Sequence, residues 1–297
     1  MSGLVPAGGV NPRGGPAAVS GVAAETLPPA VERVARTRWR GSVVSHGTRD
    51  LPEEVPVAFT YNGSSYAVMM ATPCDLEDFA IGFSLTEGII GDAAHIETLD
   101  VVRAEEGIEL RLWIEKLQNE ALRRRRHHLA GPTGCGLCGL ESLAEARRPL
   151  RPIESAATVA VTSISAALEE VTAHQQLNQQ THAVHAAAFY RPGRGMILRE
   201  DVGRHNALDK LAGALAVAGV QSSDGFLLLS SRVSIEMVQK ANAIGIPVLV
   251  AVSAPTALAV RACDAAGLTL IAVARPDGFE LFTHSRRIVG GNAMRQA

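Results

Sequence analysis

Hydrophobic and polar positions along the chain form two different patterns, and the first extends from about residue 34 to residue 115. Short apolar runs bounded by turn residues fill this region, as is typical of β-strands. Residues 55–61 lead into Asn62-Gly63, and residues 65–70 follow the turn closely. An Asn-Gly pair between two such runs is a strong turn signal, because both residues tolerate positive φ angles. This stretch therefore predicts a β-hairpin.

One helix interrupts the strands of this first region. Apolar residues at helical spacing begin after Asp75 or Asp78, either of which can start a helix, and end near Gly88. Residues 96–102 and 108–114 then have the composition of two further strands. The region is thus predicted to be small and rich in β-strands.

The second pattern begins near residue 195, where continuous apolar runs alternate with helical segments. The predicted strands cover residues 195–198, 226–229, 248–252 and 268–273, and the predicted helices cover residues 206–218, 234–244 and 256–266. Continuous apolar strands separated by helices indicate βαβ units whose sheet is covered on both faces. Right-handed crossovers place every strand-to-helix turn at one edge of such a sheet.

These patterns divide the chain into three segments. Residues 1–30 are rich in Gly, Pro, Ala and Ser and lack periodicity, so they are predicted to form a disordered tail. Residues 31–130 are predicted to form a smaller β-rich subdomain. Residues 131–297 are predicted to form an α/β core domain that carries a cysteine loop and a ligand cleft.

Composition limits the classes of function. Of the 297 residues, 47% are hydrophobic, enough for one sizeable core and a second smaller one. The formal net charge is only −2 and aromatic residues make up 4%, so neither nucleic acid nor a membrane surface is an expected partner. The chain has no recognisable signal peptide and no apolar run long enough to span a bilayer. We therefore expect a cytoplasmic protein.

The stretch Gly134-Cys135-Gly136-Leu137-Cys138-Gly139 carries the clearest chemical signal. Cys135 and Cys138 can reach one common target, and the flanking glycines leave room for a large partner. Such a pair can form half of a zinc site, a redox disulfide, or a nucleophilic thiolate with a helper. The basic run at residues 123–128 precedes the pair, and nearby positive charge lowers the pKa of a thiol.

Two other cysteines complete the set of four, which is too few for a disulfide scaffold. Cys263 lies among apolar residues of a predicted helix, and Cys74 lies beside Asp75, whose charge disfavours a thiolate. Both are interpreted as small buried hydrophobic residues.

Polar residues follow each predicted strand of the second half. Asp201, Arg204 and His205 crowd the turn after the first strand, Arg232 follows the second, and Arg275 follows the last. The carboxyl ends of strands in open α/β sheets form the ligand crevice. Guanidinium groups beside the free N–H groups of helix starts suit an anionic ligand such as a diphosphate.

The other polar residues in these turns have a simpler interpretation. Ser234, Pro255 and Thr256 stand where helices begin, and residues of these types commonly start helices. We interpret all three as ordinary helix caps.

Several motifs together resemble one known family. Residues 200–210 read Glu-Asp-Val-Gly-Arg-His-Asn-Ala-Leu-Asp-Lys, and residues 133–139 contain the cysteine pair. These two segments, with residues 253–256 and with Arg232 followed by Ser234 and residues 236–240, resemble the formate dehydrogenase accessory sulfurtransferases, the FdhD family. The resemblance extends from about residue 45 to residue 290, with the motifs in the expected order.

The resemblance implies a fold and an activity. It implies a cytidine-deaminase-like layered α/β core, a homodimer, and a sulfurtransferase that formate dehydrogenase requires. Cys135 would receive sulfane sulfur from a cysteine desulfurase as a persulfide, with Cys138 as its helper. The acceptor would be molybdenum bis(molybdopterin guanine dinucleotide), held as a bound substrate, and no permanent metal is implied.

The resemblance also implies a set of cofactor-binding residues. They comprise the charged residues of the turns, a histidine at the family position and the loop after the last strand: Asp201, Arg204, His205, Arg232, His185, Val273, Ala274, Arg275, Pro276, Asp277 and Gly278. The chain departs from the family pattern at two places. His182 stands close to where relatives usually have a glycine after a threonine, and Ser231 replaces a glycine common before the arginine.

Three rival functions remain open on the sequence. A zinc deaminase needs a His-x-Glu motif, which His95-Ile96-Glu97 satisfies, but Gly134 stands where its Pro-Cys-x-x-Cys motif requires proline. A structural zinc protein would need two further ligands, with His127 and His128 the nearest candidates. A non-catalytic cofactor chaperone would use the same cleft with dispensable cysteines.

Overall fold

The computed structural model describes residues 27–115 and 149–290, together with the backbone of Ala18–Ser20 and residue 118. The cysteine pair Cys135 and Cys138, the basic run at residues 123–128 and most of the predicted tail lie outside the described residues. The division of the chain into three segments stays a prediction.

The described residues up to residue 115 form seven strands and one α-helix. They are β1 (Ala18–Ser20), β2 (Val31–Arg40), β3 (Val43–Pro52), β4 (Val55–Tyr61), β5 (Ser64–Ala71), α1 (Leu76–Thr86), β6 (Ile96–Ala104) and β7 (Gly107–Ile114), with a 3₁₀ turn at Ala93–His95. Five of the strands form a sheet in the order β1-β6-β7-β4-β5. Among the described strands, β2 and β3 pair with each other alone and form a separate, largely exposed hairpin.

The predicted hairpin, helix and strands of this region are confirmed. Asn62 and Gly63 connect β4 to β5 with φ angles of 48° and 75°, the backbone for which such a pair is selected. Helix α1 covers one face of the sheet, and the rings of its Phe79 and Phe83 contact Phe59, edge-to-face at 5.0 Å and tilted at 4.2 Å between ring centroids. Burial of these aromatic side chains gives the first hydrophobic core.

The second half contains the remaining elements. They are β8 (Val159–Ala160), α2 (Val161–His174), α3 (Gln176–Thr181), β9 (His185–Arg191), β10 (Gly195–Asp201), α4 (Arg204–Val217), β11 (Phe226–Leu229), α5 (Ile235–Ala243), β12 (Val248–Ala251), α6 (Ala257–Ala266), β13 (Thr269–Arg275), β14 (Gly278–Leu281) and β15 (Ile288–Val289), with 3₁₀ turns at Ser222–Asp224 and Ser285–Arg287. Six strands form a mixed sheet in the order β10-β9-β11-β12-β13-β14.

This sheet is covered on both faces, as the apolar runs predict. Leu227 and Leu229 of β11 pack in one core with α4, α5 and α6, whereas Leu228 packs in a second core with Ile164 and Leu168 of α2. The α/β class is therefore confirmed. The specific cytidine-deaminase-like arrangement of the layers stays a prediction.

The order of strands differs from a simple βαβ series. Strand β9, which the sequence pattern does not predict, lies between β10 and β11 and runs antiparallel to both. Strands β10 and β11 therefore still point the same way, and β12 and β13 continue parallel to β11. The carboxyl ends of these four strands meet at one edge of the sheet, together with the amino end of β9.

Two glycines bring the halves of the chain into close contact. Helix α1 crosses α4 so tightly that a Cβ atom built on Gly82 would overlap the carbonyl of Asp209, and one built on Gly213 would overlap the carbonyl of Asp78. Contacts between backbones at this distance require residues without side chains. The crossing fixes the start of α4, and hence the sheet edge, relative to the first sheet.

Within the described part of the chain, no helix combines the length and apolar character needed to cross a membrane.

Candidate functional site

Hydrogen bonds hold the turns at the carboxyl edge of the second sheet in one arrangement. The amide of Ala186 donates to Ser230 Oγ at 2.8 Å, which joins the start of β9 to the turn after β11. The amide of Thr256 donates to the carbonyl of Val233 at 2.9 Å, which joins the turns after β11 and β12. Arg275 Nη1 donates to the carbonyl of Val252 and so ties the end of β13 to the turn after β12. Such cross-links make the edge a preformed surface.

Asp201, predicted to bind a cofactor, is used within the protein. Its carboxylate is fully buried and lies 2.7 Å from Lys210 Nζ, which is also fully buried. The amides of Thr72 and Gly203 donate to its two oxygens at 3.0 and 2.7 Å, and Asn206 Nδ2 donates at 2.9 Å. With both oxygens occupied by protein donors, Asp201 positions the turn between β10 and α4 rather than facing a ligand.

A second buried lysine is equally well paired. Lys240 Nζ lies 2.9 and 3.0 Å from the carboxylate oxygens of Asp209 and 2.9 Å from Glu87 Oε1, and Thr86 Oγ1 donates to Asp209 at 2.6 Å. Burial raises the pKa of Asp209 to about 6, against the influence of Lys240. Burial alone would lower the pKa of Lys240, but Asp209 and Glu87 outweigh it. The pair is therefore ionised at neutral pH.

We call Asp201, Asp209, Lys210 and Lys240 the ion-pair cluster. Its bonds to Thr72, Thr86 and Glu87 cross from the second half of the chain to the first. Buried charges are tolerated when they are paired and hydrogen-bonded in this way.

Two other residues of the 200–210 motif, Arg204 and His205, are not paired in the way that the ion-pair cluster is. Arg204 and His205 open α4, and Arg204 Nε and His205 Nε2 are both buried without a hydrogen-bond partner among the described residues. Burial lowers the pKa of His205 to about 4, and the charges of Arg204 and Lys240 add to the effect. His205 is therefore neutral at pH 7.

The start of α5 repeats this arrangement. Ser234 is the N-cap residue, but its side chain makes no capping bond, and its Oγ is buried without a partner in the described ranges. Glu236 Oε2, in the first turn of α5, is buried and unpartnered in the same sense. We call Arg204, His205, Ser234 and Glu236 the unpartnered cluster. Buried polar atoms without partners are uncommon in folded proteins and need an explanation such as a missing ligand.

The interpretation of Ser234, Pro255 and Thr256 as ordinary helix caps therefore does not hold for all three residues. Thr256 Oγ1 accepts from the amide of Ala259 at 3.2 Å, so Thr256 is a helix cap as predicted. Ser234 occupies the cap position without the capping bond, so that interpretation is wrong for its hydroxyl. Sequence alone does not separate the two cases, because both residues precede a helix.

His185 lies at the same edge. It is the first residue of β9 and pairs in register with Asp201 at the end of β10. Burial lowers the pKa of its imidazole, Arg204 lowers it further, and Asp201 opposes the change. His185 is thus close to the turn that carries Arg204, and its binding role stays a prediction.

The segment predicted to bind the cofactor, residues 273–278, begins with a strained residue. Val273 has a φ angle of 51°, which β-branched residues rarely adopt, at an irregularity in the pairing of β13 with β14. Strain of this kind is often stored at functional sites. Ala274 is buried, whereas Arg275, Pro276, Asp277 and Gly278 are exposed. Residues 273–275 end β13 and so lie at the carboxyl edge of the sheet, and the binding role of this segment stays a prediction.

Arg232, in the turn between β11 and α5, is exposed. Ser231 beside it is buried, and its hydroxyl donates to the carbonyl of Arg232 at 3.1 Å. The serine that replaces the family's glycine therefore bonds to its own turn.

His182 has a structural role. It ends helix α3 with φ and ψ angles of 55° and 32°, the left-handed region that glycine enters at no steric cost. This explains why a glycine is suitable close to this position in relatives, and it assigns His182 no chemical function.

The prediction of a small buried residue is confirmed for Cys263, whereas Cys74 is only partly buried. Burial raises the pKa of Cys263 to about 12. Burial raises the pKa of Cys74 to about 11, where Lys210 opposes the shift and Asp75 adds to it. Neither is a thiolate at neutral pH. The predicted roles of Cys135 and Cys138 concern residues outside the described ranges.

Residues 27–115 and 149–290 contain no group of three or more His, Cys, Asp or Glu side chains arranged to hold a metal ion. His95, the first residue of the His-x-Glu triplet, accepts a hydrogen bond from the amide of Asp92 at 3.2 Å through Nδ1. That bond belongs to a capping box at the 3₁₀ turn before β6.

Together, the fold and the edge site define an α/β protein that has, at the carboxyl edge of its second sheet, buried polar atoms without hydrogen-bond partners among the described residues. A model of the FdhD/NarQ family matches residues 52–289. The chain therefore belongs to the FdhD/NarQ family, and the resemblance inferred from its motifs is confirmed.

Individual relatives agree with this assignment. The chain is 51% identical over 259 residues to the sulfur carrier protein FdhD of Agrobacterium fabrum, covering 86% of this chain and 96% of the relative. It is 48% identical over 267 residues to the protein of the same name in Cupriavidus necator, covering 90% and 93%. A crystal structure of a protein from Desulfotalea psychrophila, described as a formate dehydrogenase accessory protein, superposes with a TM-score of 0.68 at 24% identity. It covers 88% of this chain and 100% of that chain and supports the fold.

Proposed function

We propose that this protein is a sulfurtransferase that supplies sulfur to the molybdenum cofactor of a formate dehydrogenase. Cys135 takes sulfane sulfur from a cysteine desulfurase and passes it to molybdenum bis(molybdopterin guanine dinucleotide), which the protein holds as a substrate. Family membership and the names of the relatives as sulfur carriers support the sulfur chemistry. The observation that carries the proposal is the unpartnered cluster, because a cleft for a large polar substrate requires buried groups of this kind.

Loading is a thiol–disulfide exchange. The thiolate of Cys135 attacks the terminal sulfur of the donor's persulfide, a new S–S bond forms on Cys135, and the donor's S–S bond breaks. The donor leaves as a thiolate, so no external oxidant or reductant is needed. The basic run at residues 123–128 favours the thiolate form of Cys135.

Release requires two electrons, because sulfane sulfur must become sulfide. Attack of the Cys138 thiolate on Sγ of Cys135 breaks the persulfide bond and frees the terminal sulfur as hydrosulfide for the metal. The two cysteines are left as a disulfide, which a cellular dithiol reductant restores. This balance gives Cys138 a definite role as the resolving thiol.

The cleft holds the substrate while sulfur is transferred. The Arg204 guanidinium and the free amides at the start of α4 suit phosphate oxygens, since helix starts bind anions. The neutral imidazoles of His185 and His205 bind by hydrogen bonds and contribute little charge. We infer further that the protein works as a homodimer in the cytoplasm.

The decisive experiment measures sulfur on Cys135. After incubation with a cysteine desulfurase and cysteine, its peptide should be heavier by about 32 Da, the mass of one sulfur atom. Cys135→Ala should lose the adduct and leave the client formate dehydrogenase inactive. Cys263→Ala is the matched control, because its thiol is buried and protonated and should carry no sulfur.

Two results would overturn the proposal. A fully active Cys135→Ala protein would indicate a non-catalytic cofactor chaperone. One zinc atom per purified chain, lost in Cys135→Ala and Cys138→Ala, would indicate a metal site in place of a sulfur carrier.

A further inference from the structure

One long side of the second sheet is open. Strand β10 is the first in the order β10-β9-β11-β12-β13-β14 and, among the described strands, pairs with β9 alone. It is seven residues long, and its register with β9 is regular throughout. The opposite edge strand, β14, has four residues and an irregular register, both of which protect an edge from further pairing. Strand β10 has neither of these protections.

The backbone groups on the open side of β10 follow from the pairing of β9. The amide of Ser230 donates to the carbonyl of Ala186 at 3.0 Å, so Ala186 directs its backbone groups toward β11. Successive residues of a strand direct these groups to opposite sides, so Ala187 and its register partner Arg199 face each other. Every second residue of β10 from Arg199 therefore faces β9. The three residues that face outward are Met196, Leu198 and Glu200.

The outward backbone groups of β10 are mostly unused. Arg199 Nη1 donates to the carbonyl of Leu198 at 2.8 Å. The amides of Met196, Leu198 and Glu200 donate to no described residue. Residues two positions apart in a strand are about 6.6–6.8 Å apart, and the carbonyls of another extended chain have the same spacing. The open side of β10 therefore has the hydrogen-bonding pattern that a further strand would complete.

A groove of about 660 Å³ runs along this side of β10. Residues 196–200 line it together with His174, at the end of α2, and Val217, at the end of α4. Helices α2 and α4 pack on opposite faces of the sheet, so the groove has a wall on each side of the strand. This leaves room for one added strand. The β10 edge of a second copy would bring its own α2 and α4 into the same space, so a second copy does not fit.

The groove is acidic where it meets the start of α1. Asp75 and Asp78 both line it and share the guanidinium of Arg199, at 3.5 and 2.7 Å. Asp75 is the N-cap residue of α1 but makes no capping bond, and its side chain is 37% exposed. Two carboxylates with one guanidinium carry a net negative charge, which favours a basic residue in whatever binds there.

We propose that this groove binds an extended segment of a partner protein, which adds to β10 as a further strand. Hydrogen bonds to the outward amides supply affinity, and alternate side chains of the segment contact the walls. The segment is apolar at those positions and carries a Lys or Arg beside Asp75. Arg204 and His205 do not line the groove, so the inference is independent of the proposed cofactor cleft.

Synthetic peptides test this assignment. Capped peptides of the same length as β10 alternate valine and threonine and carry one lysine, either at the amino end or at the carboxyl end. We expect one of them to bind in a calorimetric titration and to protect the amides of Met196 and Leu198 from hydrogen exchange. The end that must carry the lysine gives the direction of the added strand. Glutamate in place of the lysine should weaken binding, and less so at high salt.

Backbone methylation separates strand pairing from contact through side chains alone. N-methyl groups on every second residue remove the donors from one edge of the peptide and leave the other edge intact. One of the two methylation patterns should abolish binding and the other should retain it, because β10 pairs with one edge of the added strand. This measurement changes nothing in the protein, so it does not depend on the folding of a variant.

Substitutions in the protein locate the binding site. Val217→Arg fills the groove from the α4 wall and should abolish binding. Val68→Arg is the matched control, because Val68 is a similarly exposed valine on β5 of the other sheet, and it should leave binding unchanged. Asp75→Asn should remove the preference for lysine over glutamate in the peptide.

Three results would overturn the inference. One is failure of both lysine peptides to bind. Another is equal binding of the two methylated forms, which would indicate contact through side chains alone. The third is strong protection of the amides of Met196 and Leu198 in the protein without peptide, which would show that this edge is already paired. The measurement of sulfur on Cys135 is separate from all of these.

Discussion

The ion-pair cluster and the unpartnered cluster each combine residues of the 200–210 motif with residues of α5 or its N-cap, and they differ in how their polar groups are paired. In the ion-pair cluster, Lys210 and Asp201 are both fully buried and 2.7 Å apart, and donors from the first half of the chain complete the network. In the unpartnered cluster, Arg204 Nε and Glu236 Oε2 are buried with no partner among the described side chains. The hydrogen bonds of one cluster are complete among the described residues, and those of the other are not.

This difference assigns separate tasks to residues that are adjacent in sequence. Asp201, Asp209 and Lys210 hold helix α4 against the first half of the chain, while Arg204 and His205, between them in the chain, keep buried nitrogen atoms without partners among the described residues. Substitution in the ion-pair cluster should lower the free energy of unfolding. Substitution in the unpartnered cluster should lower the affinity for the ligand.

The largest effect is expected from Lys210→Met. It leaves the fully buried carboxylate of Asp201 without a cation, which typically costs about 3–5 kcal/mol of unfolding free energy. Denaturant unfolding monitored by circular dichroism measures it. The double variant Lys210→Met/Asp201→Asn should recover part of the loss, because no uncompensated charge remains. Equal stability of Lys210→Met and the unsubstituted protein would contradict the division of tasks.

Arg204→Ala should weaken binding and leave the unfolding free energy almost unchanged. Loss of a charge-assisted hydrogen bond should weaken guanine-nucleotide binding by about 1.5–3 kcal/mol. Unfolding free energy should change by less than about 1 kcal/mol, because Arg204 Nε has no bond in the described structure to lose. Calorimetry and denaturant unfolding on the same preparation give both values. A variant that loses stability and retains affinity would move Arg204 into the structural group.

His205 should make the protein less stable in mild acid. Its pKa is lowered to about 4 in the folded state, so between pH 6.5 and pH 4 the unfolded chain binds a proton that the folded chain excludes. The contribution of neutral His205 to the unfolding free energy is therefore fully present above pH 6.5, and about 1–2 kcal/mol of it is lost between pH 7 and pH 5.

The measurement compares the pH dependence of the unfolding free energy of the unsubstituted protein with that of His205→Gln. The raised pKa of Asp209 acts in the opposite direction, but Asp209 is present in both proteins, so its effect cancels in the comparison. His174→Gln, at an exposed position, is the control. Identical pH dependence in all three proteins would show that His205 titrates normally.

The smallest effect is expected from Ser234→Ala, and its sign is informative. Removing a buried hydroxyl without a partner should leave stability unchanged or raise it by about 1 kcal/mol, whereas loss of a helix cap would lower it by a similar amount. The thermal midpoint distinguishes the two. Thr256→Ala, which removes a real capping bond, should be destabilising.

Sequence reasoning predicts the elements well where the apolar pattern is strong. Strand β11 has the predicted bounds, and helices α4, α5 and α6 differ from prediction by one or two residues at most ends. Strand β9 is missed because Ala186 to Ala188 have no strong preference for strand or helix. Since β9 separates β10 from β11, the strand order is missed with it.

The sequence predicts that the candidate site lies at the carboxyl edge of the second sheet, but it does not predict which side chains are paired within the protein. The edge follows from the shared direction of the strands, which the apolar pattern implies. Which of Asp201 and Arg204 faces the cleft depends on Lys210 and on donors from Thr72, more than a hundred residues away in sequence. The same limit applies to Ser234 and Thr256, which look alike until their hydrogen bonds are known.

The glycine crossing of α1 and α4 has a genetic consequence. A side chain at position 82 would meet the backbone of the opposite helix, and so would one at position 213. A second-site mutation can shorten an obstructing side chain, but it cannot remove a peptide group. Loss of either glycine should therefore have no local suppressor, and chimaeras that join the two halves from different relatives should fold only when both positions keep glycine.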